Sequence, residues 1–433
     1  MIVCRIFLCS DDISKGREEI TKMRDRLHRT FQTYKELLLL GVLGVPIGLV
    51  IGGIDAVFGE VLLAITDFRD GHPVQLIPFL ALGGAFVAFF YLKFGGKSSK
   101  GMNLIFEVGH GEEEAIPLKL IPFIISGTWI THLFGGSAGR EGVAVQIGAA
   151  FSHWVGRKVP LRNSSHIFLV TGMAAGFAGL FQTPLAAVLF AMEVLVAGAM
   201  EYQALLPAIT AAFTASTTSH FLGLEKFSFG LAAKVDLSLP VTGRLVLLGI
   251  LFGITGGAFA WSLKWMKTKL AKLWKHPVVR IAVAGAVLSV LLLLLYKGRY
   301  AGLGTNLIHA CFYGEKVFSY DWILKFLLTI VTLAAGFQGG EVTPLFSIGA
   351  ALGVSLSGIT GMPAELAAAL GYAGVFGGAT NTFLAPVFIG AEVFGFEYLP
   401  QFFVVCAFAY IFNLNKSIYS KQKLIAGHKR IEG

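Results

Sequence analysis

The feature that most limits what this chain can fold into is its series of apolar stretches, which recur from Leu37 to Ala409 with few charges between them. Hydrophobic residues make up 55% of the 433 residues and charged residues only 14%, against about a quarter in a soluble domain. The stretches are continuous and rich in Leu, Ala and Gly, unlike the short alternating segments of a membrane barrel. The chain therefore reads as an all-α polytopic membrane protein, with the lipid bilayer as its first partner.

The net charge of +9 does not point to nucleic acid. Basic residues gather at the chain ends and in loops, among them Arg24, Arg26, Arg29, Lys35, Lys97, Lys100, Arg157, Lys158, Lys264, Lys275, Lys421 and Arg430. The positive-inside rule accounts for this pattern and places both termini in the cytoplasm, with the chain multi-pass in the cell (plasma) membrane. The expected organisation is a cytoplasmic tail (1–34), a first transmembrane repeat (35–225), a connector (226–240), a second repeat (241–415) and a cytoplasmic C-terminal segment (416–433). Asp11–Arg29 reads as a charged surface helix, and Met1 and Met23 both stand as starts. Cys4 and Cys9 fall in the tail, Cys311 and Cys406 in apolar surroundings, and no disulfide framework follows. The ten histidines form no i, i+4 pair and no HExxH, and there is no Walker A loop, so no metal and no cofactor is expected.

Glu36 to Ile65 is one apolar segment carrying Asp55 and Glu60. It is too long for one upright span and is expected to tilt or to break near Gly52-Gly53. Glu112-Glu113-Glu114 reads as a solvated loop. After Phe134 the apolar pieces shorten, as at 143–155 and 184–196, below the roughly 20 residues a span needs. Half-helices meeting at the midplane explain them.

Two glycine-rich breaks interrupt this pattern: Gly135-Gly-Ser-Ala-Gly-Arg-Glu-Gly-Val143 and Gly336-Phe-Gln-Gly-Gly-Glu-Val-Thr-Pro344. Each opens a similar helix, since Glu141–Ala150 and Val342–Ala351 share Ile-Gly-Ala-Ala in register. A second pair of blocks, Thr183–Val194 and Thr382–Val393, keeps Thr, Leu, Ala, Val, Glu and Val in register. The two halves therefore read as a repeat. Helix N-termini carry about half a positive charge and unpaired N–H donors. Two breaks can aim two such ends at one midplane point, and that is an anion site.

Glu141, at the start of a half-helix, would occupy the same field as an anion and compete with it. Once protonated it could swing away, so one residue could gate anions and carry protons. The plainer reading is a Glu stabilised by its own helix dipole. Arg140 reads as its structural partner. Glu341 is the other acid inside a break, and its plain reading is a solvated rim carboxylate. Thr343 offers a hydroxyl at the second helix start, and Tyr419 a phenol that would otherwise be an interfacial tyrosine. Glu193 and Glu392 end matched half-helices and are expected to hold loop N–H groups. His132 reads as a loop histidine.

These residues resemble the CLC family of anion channels and proton-coupled antiporters. The family's G-x-x-G-R-E-G-P motif is matched by Gly136-Ser-Ala-Gly-Arg-Glu-Gly-Val143, its G-x-F-x-P motif by Gly340-Glu-Val-Thr-Pro344, and its G-S-G-I-P motif by Gly101-Met-Asn-Leu-Ile105. Pro184 and the late Tyr419 also fit, and the resemblance covers the chain from about Lys35 to Gln422. It implies a CLC-like fold with two inverted-topology repeats, a homodimer with one pore per subunit, and Glu141 as the gating glutamate. Met102 stands where chloride-handling relatives have a serine, Val143 where they have proline, and Val342 where they have phenylalanine. Val194 stands where their antiporters have an inner proton-relaying glutamate. In these departures the chain is similar to the fluoride-exporting branch, the CLC-F fluoride/proton antiporters.

The resemblance thus implies a secondary transporter, not an enzyme, that exports fluoride in exchange for protons and selects it over chloride. Glu141 and Glu341 are the expected gating and proton-coupling acids. The expected anion-binding set is Gly139, Arg140, Gly142, Val143, Val342, Thr343 and Tyr419, with Met102 and Asn103 at the inner approach. Fluoride is small and tightly hydrated, so a site must replace its water with short, strong hydrogen bonds. A chloride/proton antiporter or a passive anion channel is the alternative. An intramembrane hydrolase built on Ser137 is a remote one, with no histidine placed to serve as its base.

Overall fold

The computed structural model describes the backbone of residues 2–233 and 235–425, and the side chains of Arg24 and of those residues from Tyr34 onward. Cys4, Cys9 and most other side chains of the expected tail, and the last eight residues, lie outside that description.

The helices run, in chain order, α1 (Ile2–Gly71), α2 (Pro73–Leu76), α3 (Leu80–Phe90), α4 (Met102–Gly109), α5 (Leu120–Leu133), α6 (Glu141–Gly156), α7 (Ser164–Phe181), α8 (Pro184–Glu193) and α9 (Leu205–Phe221). After an irregular connector come α10 (Leu239–Leu273), α11 (Pro277–Leu294), α12 (Thr305–Phe312), α13 (Asp321–Ala335), α14 (Val342–Thr360), α15 (Ala364–Thr380), α16 (Leu384–Phe394) and α17 (Leu399–Ile411). Among the described residues, six helical stretches are long and apolar enough to cross a membrane, and α5, α8 and α16 are shorter apolar pieces. The molecule is a multi-pass membrane protein.

The packing repeats. α6 lies against α7, and α14 against α15; α1 lies against α9, and α10 against α17. The close contacts fall on equivalent glycines. A side chain on Gly148 would begin 2.0 Å from the Gly172 carbonyl oxygen, and one on Gly349 the same distance from that of Gly371. Small residues let backbones meet where lipid supplies no hydrophobic drive between helices. The left-handed residues that end α7 and α15 match too: Gln182 has φ 56° and Asn381 has φ 55°.

The structure sharpens two sequence expectations. α1 does not break at Gly52-Gly53 but continues to Gly71. Gly44, Gly48 and Gly52 form a stripe against α9, where an added Cβ would meet the backbone oxygens of Pro207, Ala211 and Ala215. Those glycines serve close packing, not a hinge. Glu112 and Glu113 lie in a surface loop, as expected, and each is ion-paired there, to Lys423 at 2.9 Å and to Lys97 at 2.6 Å.

Glu193 and Glu392 hold the halves together as expected. Glu193 at the end of α8 accepts the N–H groups of Phe383, Leu384 and Ala385 at 3.3, 3.1 and 2.8 Å, at the head of α16. Glu392 at the end of α16 accepts those of Leu185 and Ala186 at 3.2 and 2.8 Å, at the head of α8. Each carboxylate satisfies N–H donors that a helix start leaves unpaired.

Gly148→Ala is expected to lower the thermal midpoint of the purified protein, since overpacking costs about 1–3 kcal/mol. Gly53→Ala, where nothing lies within 4 Å of the added carbon, should leave it level or raise it. Equal effects of the two would contradict the close-packing account.

Candidate functional site

The two glycine-rich breaks meet. α5 ends at Leu133 and α13 at Ala335, and each is followed by a loop that turns into the next half-helix. Gly139 and Gly340 exchange both backbone hydrogen bonds, N to O at 2.6 Å one way and 2.7 Å the other, in an antiparallel bridge. Gly339 has φ 151°, and a side chain there would begin 2.5 Å from the Ala138 Cβ, so only glycine fits. This bridge fixes the start of α6 beside the start of α14.

The Glu141 side chain crosses between them. It is buried, and its Oε2 accepts the Thr343 hydroxyl at 2.5 Å, the Thr343 N–H at 3.2 Å and the Arg140 N–H at 3.3 Å. One carboxylate therefore sits at the positive ends of two helices from the two halves. Arg140 Nε lies 3.9 Å from Glu141 Oε1, while Arg140 Nη1 is buried and has no hydrogen-bond partner among the described residues. Gly142, Val143 and Val342, beside Glu141 and Thr343 in the two half-helix starts, are buried. Glu341 takes the N-cap position of α14 and is half-buried, with its Oε2 4.0 Å from where a side chain on Gly142 would start.

The other expected residues form a second group. Met102 is half-buried at the start of α4, and the ring of Phe106 one turn on stacks on Tyr419 at 5.1 Å. Asn103 is exposed, and its side-chain oxygen accepts the Ser420 hydroxyl at 3.0 Å, which ties α4 to the C-terminal segment. Tyr419 is buried. Rings join the two groups: Phe346, one turn beyond Thr343, meets Phe376 at 5.1 Å, Phe376 meets Phe190 at 6.1 Å, and Phe190 meets Tyr419 at 6.3 Å. Sequence reading missed this aromatic line, because Phe residues at helical spacing look like ordinary core. Its phenylalanines carry no dissociable proton but present partly positive ring edges.

Loop residues around the first break are locked. The two ring nitrogens of His132 lie 2.9 Å from the Thr128 and Ala138 carbonyl oxygens, a loop-holding role. Lys325, fully buried on α13, donates to Ser137 Oγ at 2.9 Å, to the Tyr300 oxygen at 3.1 Å and to the Gly302 oxygen at 2.7 Å. A lysine is thus the basic group beside Ser137 that sequence reading did not consider. These three contacts, to the Ser137 hydroxyl and two backbone oxygens, clamp the loop to α13. A lone Lys in the apolar run 321–335 was the available signal.

The segment that bears Tyr419 is clasped from outside. Glu107, at the end of α4, pairs with Lys100 at 2.7 Å and Lys421 at 3.0 Å. Val196–Ala197 (β1) pairs in parallel with Lys423–Leu424 (β2). Hydrogen bonds from Lys97 and then Lys100 hold the Glu113 carboxyl down at about 2, and Lys423 holds Glu112 below its usual range. A depressed carboxyl contributes stability above its ordinary range and loses it as pH falls through the folded value. Protection of the 417–424 amides is therefore expected to hold from neutral into mildly acidic solution. Lys421→Glu should speed hydrogen exchange of those amides, with α14 and α15 unchanged. Exchange as slow as in the wild type would remove the clasp from the account.

Comparison with known proteins follows the same lines. Residues 83–414 match the family model described as voltage gated chloride channel. A chloride/fluoride channel protein of Pseudomonas syringae pv. tomato is 34% identical over 391 residues, covering 89% of this chain and 86% of that one. The crystal structure of a CLC-type fluoride/proton antiporter superposes with a TM-score of 0.89 at 53% identity, covering 90% of this chain and 99% of the other. A slow cyanobacterial Cl-/H+ antiporter shares the fold, with a TM-score of 0.73 at 19% identity over 86% of this chain and 94% of the other.

Proposed function

Because the chain belongs to the voltage-gated chloride channel (CLC) family, we propose that it is a secondary transporter that exports fluoride from the cytoplasm in exchange for protons. The observation that carries this reading is the Glu141 carboxylate held by the hydroxyl and N–H of Thr343. An anion acceptor already sits where a transported anion would. Protonation neutralises it and frees two strong donors, so fluoride takes the Thr343 hydroxyl and N–H while the proton leaves with Glu141. Short donors suit fluoride, which gives up tightly held water on entry. The likeness to a fluoride/proton antiporter over nearly the whole chain supports the choice of anion.

Each expected residue takes a role in this reading. Gly139 and Gly142 let backbone approach the ion. Arg140 supplies the fixed positive charge. Val143 and Val342 exclude water. Glu341, beside Gly142, is the second proton-linked acid. Tyr419 and Met102 receive the anion at the inner end, and Asn103 shapes the mouth through Ser420. All these groups come from one chain, so a homodimer has one complete pore per subunit. The membrane is the cell membrane and both termini are cytoplasmic. A passive fluoride channel is the rival reading, and proton movement separates the two.

In liposomes, fluoride efflux is expected to drive protons inward, with chloride moving far more slowly. Fluoride flux without opposing protons would leave a channel, and chloride flux as fast as fluoride would remove the selectivity. Glu141→Gln should abolish proton-coupled exchange. Thr343→Ala should raise the half-saturating fluoride concentration about tenfold, the ~1.4 kcal/mol of one charge-assisted hydrogen bond, with little change in thermal stability.

A further inference from the structure

Asp55 sits in the middle of α1, wholly buried, and neither of its carboxyl oxygens has a hydrogen-bond partner among the described residues. Room is made for it. Gly179 of α7 faces it, and a side chain there would begin 2.5 Å from Asp55 Oδ2. α1 packs on α5, α6, α7 and α9, yet among the described residues the only charge those elements bring to bear on Asp55 is that of Arg140, at the head of α6. Arg140 also feels Glu141 and Glu60, and its own Nη1 is buried and unpaired.

A bare carboxylate with no partner is very costly in such surroundings, whereas a protonated carboxyl is not. A structural acid would have spent its oxygens on backbone N–H groups, as Glu193 and Glu392 do. Asp55 has instead a cradle, no bonds, and one arginine that it shares with the gate.

We propose that Asp55 is a further proton-holding acid of the exchange cycle, beside Glu141 and Glu341, protonated while Glu141 is ionised and ionised while Glu141 is protonated. The inference rests on the proposed exchange of fluoride for protons. The step is a proton exchange between two carboxyls: Asp55 gives up one proton, Glu141 gains one, and no electrons move. Arg140 then faces one carboxylate in both states, so protonating the gate does not strand a buried guanidinium charge. Glu60, on the same helix and exposed, is the other acid Arg140 feels; lying outside the core, it leaves the exchange to Asp55.

Asp55→Asn keeps the shape and removes the titration. In liposomes its coupled fluoride flux is expected to need a pH lower by about one unit, a tenfold rise in proton concentration, with half-saturating fluoride within about twofold of the wild type. Asp55→Glu should restore the wild-type profile, which a packing defect would not allow. A flux-independent readout is the infrared carbonyl stretch of a buried protonated carboxyl in the wild type at neutral pH, absent from Asp55→Asn. A superimposable pH profile, or no such band in the wild type, overturns the inference. Absence of fluoride-proton exchange in the wild type would instead overturn the reading on which it rests, with the band still present.

Discussion

A carboxylate from one half of the chain sits at the positive end of a helix from the other half, and the rest of the structure depends on that contact. It is made three times. Glu193 and Glu392 bind the heads of α16 and α8, and Glu141 binds the head of α14. The physics is the same each time, since helix starts leave N–H donors unpaired and polarised. The strength differs. Glu193 takes three backbone donors, whereas Glu141 takes one backbone donor of α14 and a hydroxyl that can turn to another acceptor. Two contacts fasten the halves, and the third, set in the glycine-rich break, is the one that the proposed cycle exchanges.

For Glu141 to be displaceable, its surroundings must not move with it. The backbone bridge between Gly139 and Gly340, the Lys325–Ser137 clamp and the His132 tie fix the loop on all sides. Close contacts such as Gly148 on Gly172 and Gly349 on Gly371 hold the two half-helices in mirrored frames. In the proposed cycle, a rigid frame around the Glu141 side chain would let a single proton decide whether its carboxylate or an anion takes the donors of Thr343.

Much of this was legible in the sequence. The two breaks, the repeated Ile-Gly-Ala-Ala and the matched Glu193 and Glu392 announced two repeated halves, because an internal repeat needs the same local chemistry twice. Gly52-Gly53 left a tilt and a break both open, since a glycine pair reads alike as a hinge or as a surface for another helix, and only α9 lying along α1 decides. The ion pairs of Glu112 and Glu113 were not legible for a related reason: their partners, Lys423 and Lys97, lie outside the loop. Asn103 was placed by its motif, but one residue of helical turn separates an inward from an outward side chain, and it faces out. The line from Phe346 to Tyr419 left no trace in the sequence, because aromatic spacing is the same in a core and along a path.

The most direct test of the gate is fluoride binding to the purified protein, measured calorimetrically over a range of pH. If Glu141 and fluoride compete for the donors of Thr343, fluoride affinity should rise as pH falls and the gate is neutralised. In Glu141→Gln it should be high and independent of pH. Fluoride affinity in the wild type that does not change with pH, or that falls as pH falls, would contradict the account.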